Sequence, residues 1–223
     1  MNNNHPHQFK IDHVLAEAVQ ILQRNLIPTL LYTSIYLLIT LLLIRLKYSG
    51  LVIQVLLAGP FIAGYFNAFQ QDYYGYAPKI SHFFAFFQNP VKVIATHLLM
   101  SIITVAGLYL LVVPGIYFAI AYYFAIPLII NRDIKIWDAM ELSRSIITKQ
   151  WLRFFLLVLI LLIFNVVGAI FFGIGLLFTI PLTYAAVHVV FVRQGLMEEY
   201  TQEPEHQDTN NQNDNHLTID MFR

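Results

Sequence analysis

The stretch from residue 98 to residue 130 contains no charged side chain, and no other feature of this sequence limits the fold so strongly. About twenty apolar residues cross the hydrocarbon core of a bilayer as one helix, so this stretch predicts membrane-buried helices. The whole chain agrees, because 58% of its residues are hydrophobic and only 12% are charged, whereas about a quarter are charged in soluble proteins. The sequence therefore predicts a polytopic membrane protein.

Apolar runs of about bilayer length occur six times and form three pairs, each divided by a short turn. They cover residues 26–44, 51–69, 91–113, 115–130, 152–172 and 174–192. In the second pair, Pro114-Gly115 predicts the turn, and Pro127 should bend the following span near its inner end. The predicted fold class is all-α, a polytopic membrane protein with six transmembrane helices in three hairpins and amphipathic interfacial helices. The membrane domain is expected to cover residues 1–194.

Two polar segments have the apolar spacing of an amphipathic helix. The first precedes the first span and predicts a helix lying on the membrane, with apolar positions Ile11, Val14, Leu15, Ala18, Ile21 and Leu22. The second follows Lys135, and docking against the membrane or the bundle is expected for its stripe of Ile136, Met140, Ser143, Ile147 and Trp151. A third polar segment, residues 79–88, mixes four phenylalanines with polar side chains, which is typical of the membrane interface.

A Lys-Ile dipeptide opens each of these three segments, at Lys10, Lys79 and Lys135. Each segment precedes a predicted hairpin whose second half contains a proline: Pro60, Pro127 or Pro181. Three copies of an interfacial helix followed by a hairpin fit this spacing. Compositional bias in an apolar chain produces matches of the same kind, so both interpretations stay open.

The lysines and arginines predict the orientation, since cytoplasmic loops of membrane proteins carry an excess of both. If the N-terminus is cytoplasmic and six spans follow, eleven of the thirteen cations lie inside and only Arg45 and Lys47 lie outside. Both termini are therefore expected in the cytoplasm. Seven of the thirteen acidic residues follow Val192, and residues 195–223 are predicted to form a disordered acidic, Asn/Gln-rich tail.

Two stretches carry a resemblance to known proteins: VVPGIYFAIAYYFAIPLIINRDIKIWDAMELSRSIITKQWLRFF from Val112, and GIGLLFTIPLTYAAVHVVF from Gly173. Here the chain resembles bacterial integral membrane proteins of unknown function, the YciC-like proteins and relatives of the membrane domain of glycerophosphoryl diester phosphodiesterase. The resemblance covers residues 91–191. It implies a six-helix module of the bacterial cytoplasmic (inner) membrane without an assigned activity, and it transfers no catalytic residue.

Three cations are candidate lipid head-group contacts: Lys135, Lys149 and Arg153. On a helical wheel continued into the next span, they fall within about 40° of each other. Cations in this position suit anionic head groups, but ordinary positive-inside topology explains the same charges, so this alternative stays open. Arg144 differs, because it borders the apolar stripe three residues after Glu141, which predicts an ion pair.

No catalytic, cofactor or metal site is predicted. The predicted spans contain no Asp or Glu, and their only histidines are His97 and His188, for which hydrogen bonding inside the bundle is expected. Asn67, Asn165 and Gln54 either line a pathway or bond between helices. The chain has no cysteine, which excludes disulfides and thiol chemistry.

Two function classes fit these features. The first is an envelope scaffold or accessory protein that acts through contacts with lipid or with partner proteins. The second is a small-solute transporter or channel, which requires a continuous polar pathway through the bundle. No enzyme is expected, because neither a nucleophile-base pair nor a metal set is visible. The expected partners are membrane lipids and other membrane proteins, not nucleic acid, and no cofactor is expected.

Overall fold

The computed structural model describes residues 9–132, 134–170 and 173–197, which form helices joined by short turns. The helices are α1 Ile11–Arg24, α2 Leu26–Ile44, α3 Lys47–Tyr73, α4 Ile80–Phe83, α5 Val91–Leu110, α6 Val112–Ala121, α7 Ala125–Arg132, α8 Ile136–Thr148, α9 Trp151–Ile170 and α10 Leu176–Arg193. A 3₁₀ turn, Ala85–Phe87, follows α4. Within the described ranges no β-strand occurs, so the all-α prediction is confirmed.

Six helical stretches are long and apolar enough to cross a membrane, and they form three hairpins. They are Leu26–Ile44, Tyr48–Tyr73, Val91–Leu110, Val112–Arg132, Trp151–Ile170 and Leu176–Arg193. The predicted number of spans is confirmed, and the first span has the predicted bounds. The chain is therefore a multi-pass membrane protein.

The second span of each hairpin is more deeply buried than the first. Buried residues make up 44%, 56% and 44% of the second spans, against 17%, 17% and 22% of the first spans. The bundle thus has an inner layer of three spans and an outer layer of three whose apolar side chains face outward. Pro60, Pro127 and Pro181 are all buried, one in each inner span.

Glycines bring the two helices of each hairpin into contact near its tip. A Cβ atom on Gly50 would lie 1.9 Å from a backbone carbonyl oxygen of α2. One on Gly107 would lie 3.0 Å from the Cα of Gly115, and one on Gly175 would lie 2.5 Å from the Cα of Gly168. The helix backbones therefore touch, as small residues allow in lipid.

The turn of the second hairpin lies at Leu111, so the prediction of a turn at Pro114-Gly115 is wrong. α5 ends at Leu110, Leu111 is extended with φ −159° and ψ 137°, and α6 begins at Val112. Pro114 occupies the first turn of α6, where its missing N–H interrupts no helical hydrogen bond. Gly115 serves the contact with α5 instead of the turn.

The fourth span is broken between α6 and α7, over residues 122–124. Pro127 lacks an N–H, and its ring collides with the carbonyl four residues earlier, so a regular helix cannot continue through this region. The buried Ser143 of α8 completes the gap: its Oγ accepts the N–H of Phe124 at 3.0 Å and donates to the carbonyl of Ala121 at 2.7 Å. The predicted bend is confirmed.

The three Lys-Ile dipeptides have one structural role. Lys10, Lys79 and Lys135 occupy the N-cap positions of α1, α4 and α8, with extended backbone at ψ 131°, 157° and 151°. Each of these helices therefore begins at the isoleucine, and each precedes one hairpin.

The apolar faces of both amphipathic helices dock on the protein. On α1, Val14 and Ala18 are fully buried, and the helix packs against α10. The prediction that this face lies on the membrane is wrong, because the bundle covers it. On α8, Met140, Ser143 and Ile147 are buried against the spans, so docking on the bundle is confirmed.

The aromatic segment of residues 79–88 also faces the protein. Phe83 is fully buried, and its ring centroid lies 4.8 Å from that of Tyr32 in α2. Gly64 makes room for this approach, because a Cβ there would lie 2.1 Å from the Phe83 carbonyl oxygen. The expectation of interfacial rings is therefore wrong for Phe83, which fills the space between α2 and α3.

The packed structure continues slightly past α10. Leu196 is 6% exposed, and its carbonyl accepts a hydrogen bond from Asn131 Nδ2 at 3.0 Å. The membrane domain thus extends beyond the predicted boundary at residue 194. Of the predicted disordered tail, residues 195–223, the part from residue 198 onward lies outside the described residues.

Candidate functional site

Lys135, Lys149 and Arg153 do not lie on one continuous helix. α8 ends at Thr148, a turn follows, and α9 begins at Trp151, so the helical wheel that placed the three cations together is interrupted. Lys135 and Lys149 are exposed and cap opposite ends of α8, about 20 Å apart at 1.5 Å per residue. The continuous helix on which the single stripe was predicted is therefore interrupted, and lipid contact by these residues stays a prediction.

The ion pair predicted on α8 is present. Arg144 Nε donates to Glu141 Oε2 at 2.9 Å, and Arg144 Nη2 donates to the other carboxylate oxygen. The hydrogen bond from Arg144 holds the pKa of the Glu141 carboxyl below its usual value, and the same bond raises the pKa of Arg144. Next to the pair, the hydroxyls of Tyr117 and Thr148 lie 2.8 Å apart and connect α8 to α6. The Tyr117–Thr148 bond therefore holds α8 against the second hairpin, whereas the ion pair lies within α8 itself.

Polar side chains inside the spans bond between neighbouring helices, as one of the two interpretations predicts. Gln54 Nε2 donates to Tyr36 Oη at 3.0 Å, between α3 and α2. Asn165 Nδ2 donates to Thr183 Oγ1 at 2.7 Å, between α9 and α10. Asn67 Nδ2 donates to a backbone carbonyl in α4 at 2.7 Å. These amides therefore join helices in pairs.

Aromatic side chains fill the middle of the bundle. Tyr32, Phe61 and Tyr65 are each at most 2% exposed. The Tyr65 ring stacks on Tyr184 with centroids 4.8 Å apart and lies 4.9 Å from the Tyr32 ring. Their hydroxyls are used locally, since Tyr32 donates to the Phe61 carbonyl at 3.1 Å and Tyr65 bonds Thr33 at 2.7 Å. This cluster separates two cavities at opposite ends of α3.

The first cavity, of about 190 Å³, lies where α1 crosses the ends of α3 and α10, and we name it the α1 cavity. α1 contributes Glu17, Gln20, Ile21 and Arg24; α3 contributes Phe69, Asp72 and Tyr73; α10 contributes His188, Val189, Val192 and Arg193. The second, of about 180 Å³, lies between α2 and α3 near the first hairpin tip and has mainly apolar walls. Of these two cavities, only the α1 cavity is lined by charged side chains.

Two ion pairs frame the α1 cavity and tie α1 to two of the inner spans, α3 and α10. Arg24 Nη2 donates to Asp72 Oδ2 at 3.0 Å, and Asn25 Nδ2 donates to Asp72 Oδ1 at 2.9 Å. Arg193 of α10 bonds Glu17 through Nε, at 3.2 Å, and through Nη2. Partly exposed pairs contribute only about 0–1 kcal/mol, whereas burying one aliphatic side chain contributes about 1.5–3 kcal/mol. The apolar face therefore holds α1 in place, and the ion pairs set the shape of the cavity.

His188 lines the α1 cavity and is 2% exposed. Neither of its ring nitrogens has a hydrogen-bond partner. The expectation that His188 is hydrogen-bonded inside the bundle is therefore wrong. His97 differs only in part, because its buried Nδ1 also has no hydrogen-bond partner, whereas the ring makes one hydrogen bond to the backbone of Val55.

Sequence reasoning missed the α1 cavity because its walls come from distant parts of the chain. Glu17 and Arg193 are 176 positions apart. In the sequence, Arg193 at the end of a span indicates only topology. The docking of α1 brings it beside the Glu17 carboxylate. In the part of the chain that the structure describes, His, Asp and Glu side chains do not gather as a metal site.

No family model, curated protein or solved structure matches this chain. The resemblance to the YciC-like proteins therefore stays a prediction.

Proposed function

We propose that this protein is an envelope scaffold or accessory protein that acts through contacts with membrane lipid and with other membrane proteins, without chemical catalysis. The aromatic cluster in the middle of the bundle carries this proposal. A transporter or channel needs a polar route between the two ends, and Tyr32, Phe61 and Tyr65 occupy the place where such a route would pass. The hydroxyls of both tyrosines are bonded within the cluster.

The distribution of charge supports the same proposal. Asp72 is the only carboxylate of the described spans, and it lies in the last turn of α3, bonded to Arg24 and Asn25. A proton or cation relay in membrane proteins uses carboxylates or histidines along a pathway. Such a series is missing from the described spans, which leaves their outer apolar surfaces and charged end for contacts.

The location that we propose is the bacterial cytoplasmic (inner) membrane, with both termini in the cytoplasm. The excess of lysine and arginine on one side supports this orientation. In it, the α1 cavity and α8 lie at the cytoplasmic leaflet, and the hairpin tips lie at the other face. Lys135, Lys149 and Arg153 then remain candidate contacts for anionic head groups.

A small-solute transporter is the alternative, and the break in the fourth span favours it. Discontinuous membrane helices form the binding sites of many transporters, because their freed backbone groups bind substrate. Here Ser143 bonds the N–H of Phe124 and the carbonyl of Ala121. Two of the backbone groups that a solute could use are therefore already engaged, and the first proposal is preferred.

Solute release from vesicles tests the proposal. The full chain is reconstituted into vesicles of phosphatidylethanolamine and phosphatidylglycerol loaded with potassium chloride or with a zwitterionic amino acid. We expect the same release rate as in protein-free vesicles. Faster release of either solute would contradict the proposal and favour the transporter.

Lipid retention tests the contact role directly. Replacing Lys135, Lys149 and Arg153 with Gln should lower the number of anionic lipids retained in native mass spectrometry, because each cation near an anionic surface contributes about 1 kcal/mol. The control replaces Arg45 and Lys47, at the opposite face, with Gln. Equal retention by the triple variant and the unchanged chain would contradict the proposed contacts.

A further inference from the structure

We propose that the α1 cavity binds the anionic oxygens of a phosphate ester, and that a membrane lipid head group supplies them. The source of the ligand rests on the lipid-contact function proposed above. The binding site itself rests on the cavity, on its unpartnered histidine and on its excess of hydrogen-bond donors.

His188 is the observation that points to a ligand. Its imidazole is 2% exposed and lines the cavity, and neither ring nitrogen has a partner. Its ring neighbours are the apolar Phe66 and Phe69, with centroids 6.2 and 6.1 Å away. Buried polar atoms are nearly always hydrogen-bonded in native proteins, because lost hydration is otherwise uncompensated. Both ring nitrogens are covered in the structure, so the imidazole turns towards the cavity when a ligand oxygen there accepts its N–H.

The two arginines of the cavity keep unused hydrogen-bond donors. A guanidinium has five N–H donors, and the contacts described use one at Arg24 and two at Arg193. Each oxygen of Asp72 and of Glu17 already accepts a hydrogen bond. The unused capacity therefore suits a ligand rich in acceptors, and arginine recognises phosphate oxygens well.

The charge of the cavity limits the charge of the ligand. Its two arginines are balanced by its two carboxylates, so the framing ion pairs have no net charge. A phosphodiester, with one negative charge and several acceptor oxygens, fits such a site better than a highly charged anion. A volume of about 190 Å³ is smaller than the roughly 300–1,000 Å³ of common ligand pockets. It therefore suits a head group without its acyl chains.

The position of the cavity favours a lipid as the source. Tyr73 and Arg193 line it, and they are the last residues of two membrane-spanning stretches. Side chains at the ends of spans lie near the head groups of the bilayer. A phosphate ester at this height enters from the leaflet while its acyl chains stay outside the cavity.

Thermal melting of the full chain in neutral detergent tests the proposal with three probes: short-chain phosphatidylglycerol, a short-chain diacylglycerol without phosphate, and inorganic phosphate. We expect phosphatidylglycerol to raise the Tm in a saturable manner and diacylglycerol to leave it unchanged. An equal shift with diacylglycerol would overturn the phosphate assignment. If inorganic phosphate produces the same rise in Tm, and that rise depends on His188, the oxyanion site is supported but the lipid source is overturned.

Substitutions at His188 identify the site. His188→Leu should require at least tenfold more phosphatidylglycerol for the same shift, while its Tm without lipid stays equal or rises, because an unpartnered polar group is removed. His188→Gln keeps a donor and should retain most of the response. The matched control is His97→Leu, which removes a histidine of α5 outside the cavity.

An unchanged response in the Leu variant, or an equal loss in the His97 control, would overturn the assignment. If His188→Leu does not fold, a wild-type-like response in His188→Gln supports the site and a lost response overturns it. Vesicle release distinguishes this result from failure of the proposed function. Solute release from the vesicles, together with a rise in Tm that depends on His188, contradicts only the proposed contact role. No release together with a shift that does not depend on His188 contradicts only the site.

Discussion

The hydroxyl of Ser143 bonds two backbone groups of the fourth span at the point where that span is broken. Its Oγ bonds the N–H of Phe124 and the carbonyl of Ala121, the two groups left by the break between α6 and α7. The side chain is fully buried, so water cannot replace it. Pro127 creates the break, and a residue on α8 repairs it, which couples the docking of α8 to the shape of the fourth span.

Replacing Ser143 with Ala should lower the free energy of unfolding by about 1–3 kcal/mol, because a buried N–H and a buried carbonyl lose their partner. The control is Ser145→Ala, two residues away, whose hydroxyl bonds only a carbonyl of its own helix. Surface changes of this kind usually stay within about 0.5 kcal/mol. Chemical denaturation in detergent measures both variants, and equal losses would contradict the repair role.

The Glu141–Arg144 pair should make stability depend on pH. The pKa of Glu141 is lowered in the folded protein, so the folded state favours the carboxylate. The stabilisation is therefore present above 4.5, the ordinary pKa of the group, and is lost as the pH falls through the lowered pKa.

Arg144→Gln should accordingly lower the Tm at pH 7 and approach the unchanged protein in acid. Melting between pH 3 and pH 7 measures the effect, with Glu141→Gln as the control that removes the titrating group. A difference between Arg144→Gln and the unchanged protein that is the same across this range would contradict the pair's role.

At the scale of elements, the repeated unit is a short helix that starts at the isoleucine of Lys-Ile and is followed by a hairpin with glycine contacts near its tip. The N-caps Lys10, Lys79 and Lys135 and the contacts of Gly50, Gly107 and Gly175 occur once in each unit. Composition alone does not produce equivalent helix starts and equivalent close approaches together. The structural regularity supports the repeat over the compositional alternative.

Gly107→Ile should open the second hairpin, because a side chain there meets the backbone of Gly115. We expect a loss of about 1–3 kcal/mol, the usual effect of overpacking a close contact. Ala106→Ile is the matched control, since Ala106 is the exposed neighbour on the same helix. A control as destabilised as the Gly107 variant would show that bulk alone, and not the contact, is responsible.

At the scale of the whole molecule, the aromatic cluster lies between α2, α3 and α10, and three outer spans present apolar surface. α1 covers the end of this bundle and creates a cavity framed by charged side chains. The hairpin tips lie at the opposite end. The two ends of the bundle therefore differ, and an orientation experiment can distinguish them.

Because the chain has no cysteine, single introduced cysteines report its orientation cleanly. Ser49→Cys, at the first hairpin tip, should react with a membrane-impermeant maleimide in intact cells. Tyr76→Cys, in the exposed loop after α3, should react only after the membrane is opened. Labelling in the reverse order would contradict the cytoplasmic placement of the termini.

The sequence by itself determined the spans, since their length and lack of charge leave only membrane helices, and the first span has the predicted bounds. It also determined the start of α8, its buried stripe and the Glu141–Arg144 pair, because these contacts lie within one helical turn or one helix face. Tertiary structure decided what depends on distant partners. Protein instead of lipid covers α1 and Phe83, and the turn of the second hairpin lies at Leu111 instead of Pro114-Gly115. The α1 cavity belongs to this second group, because Glu17, Asp72 and His188 meet only when three helices pack together. Periodicity predicts that a face is apolar, but not whether lipid or protein covers it, since both are apolar surroundings.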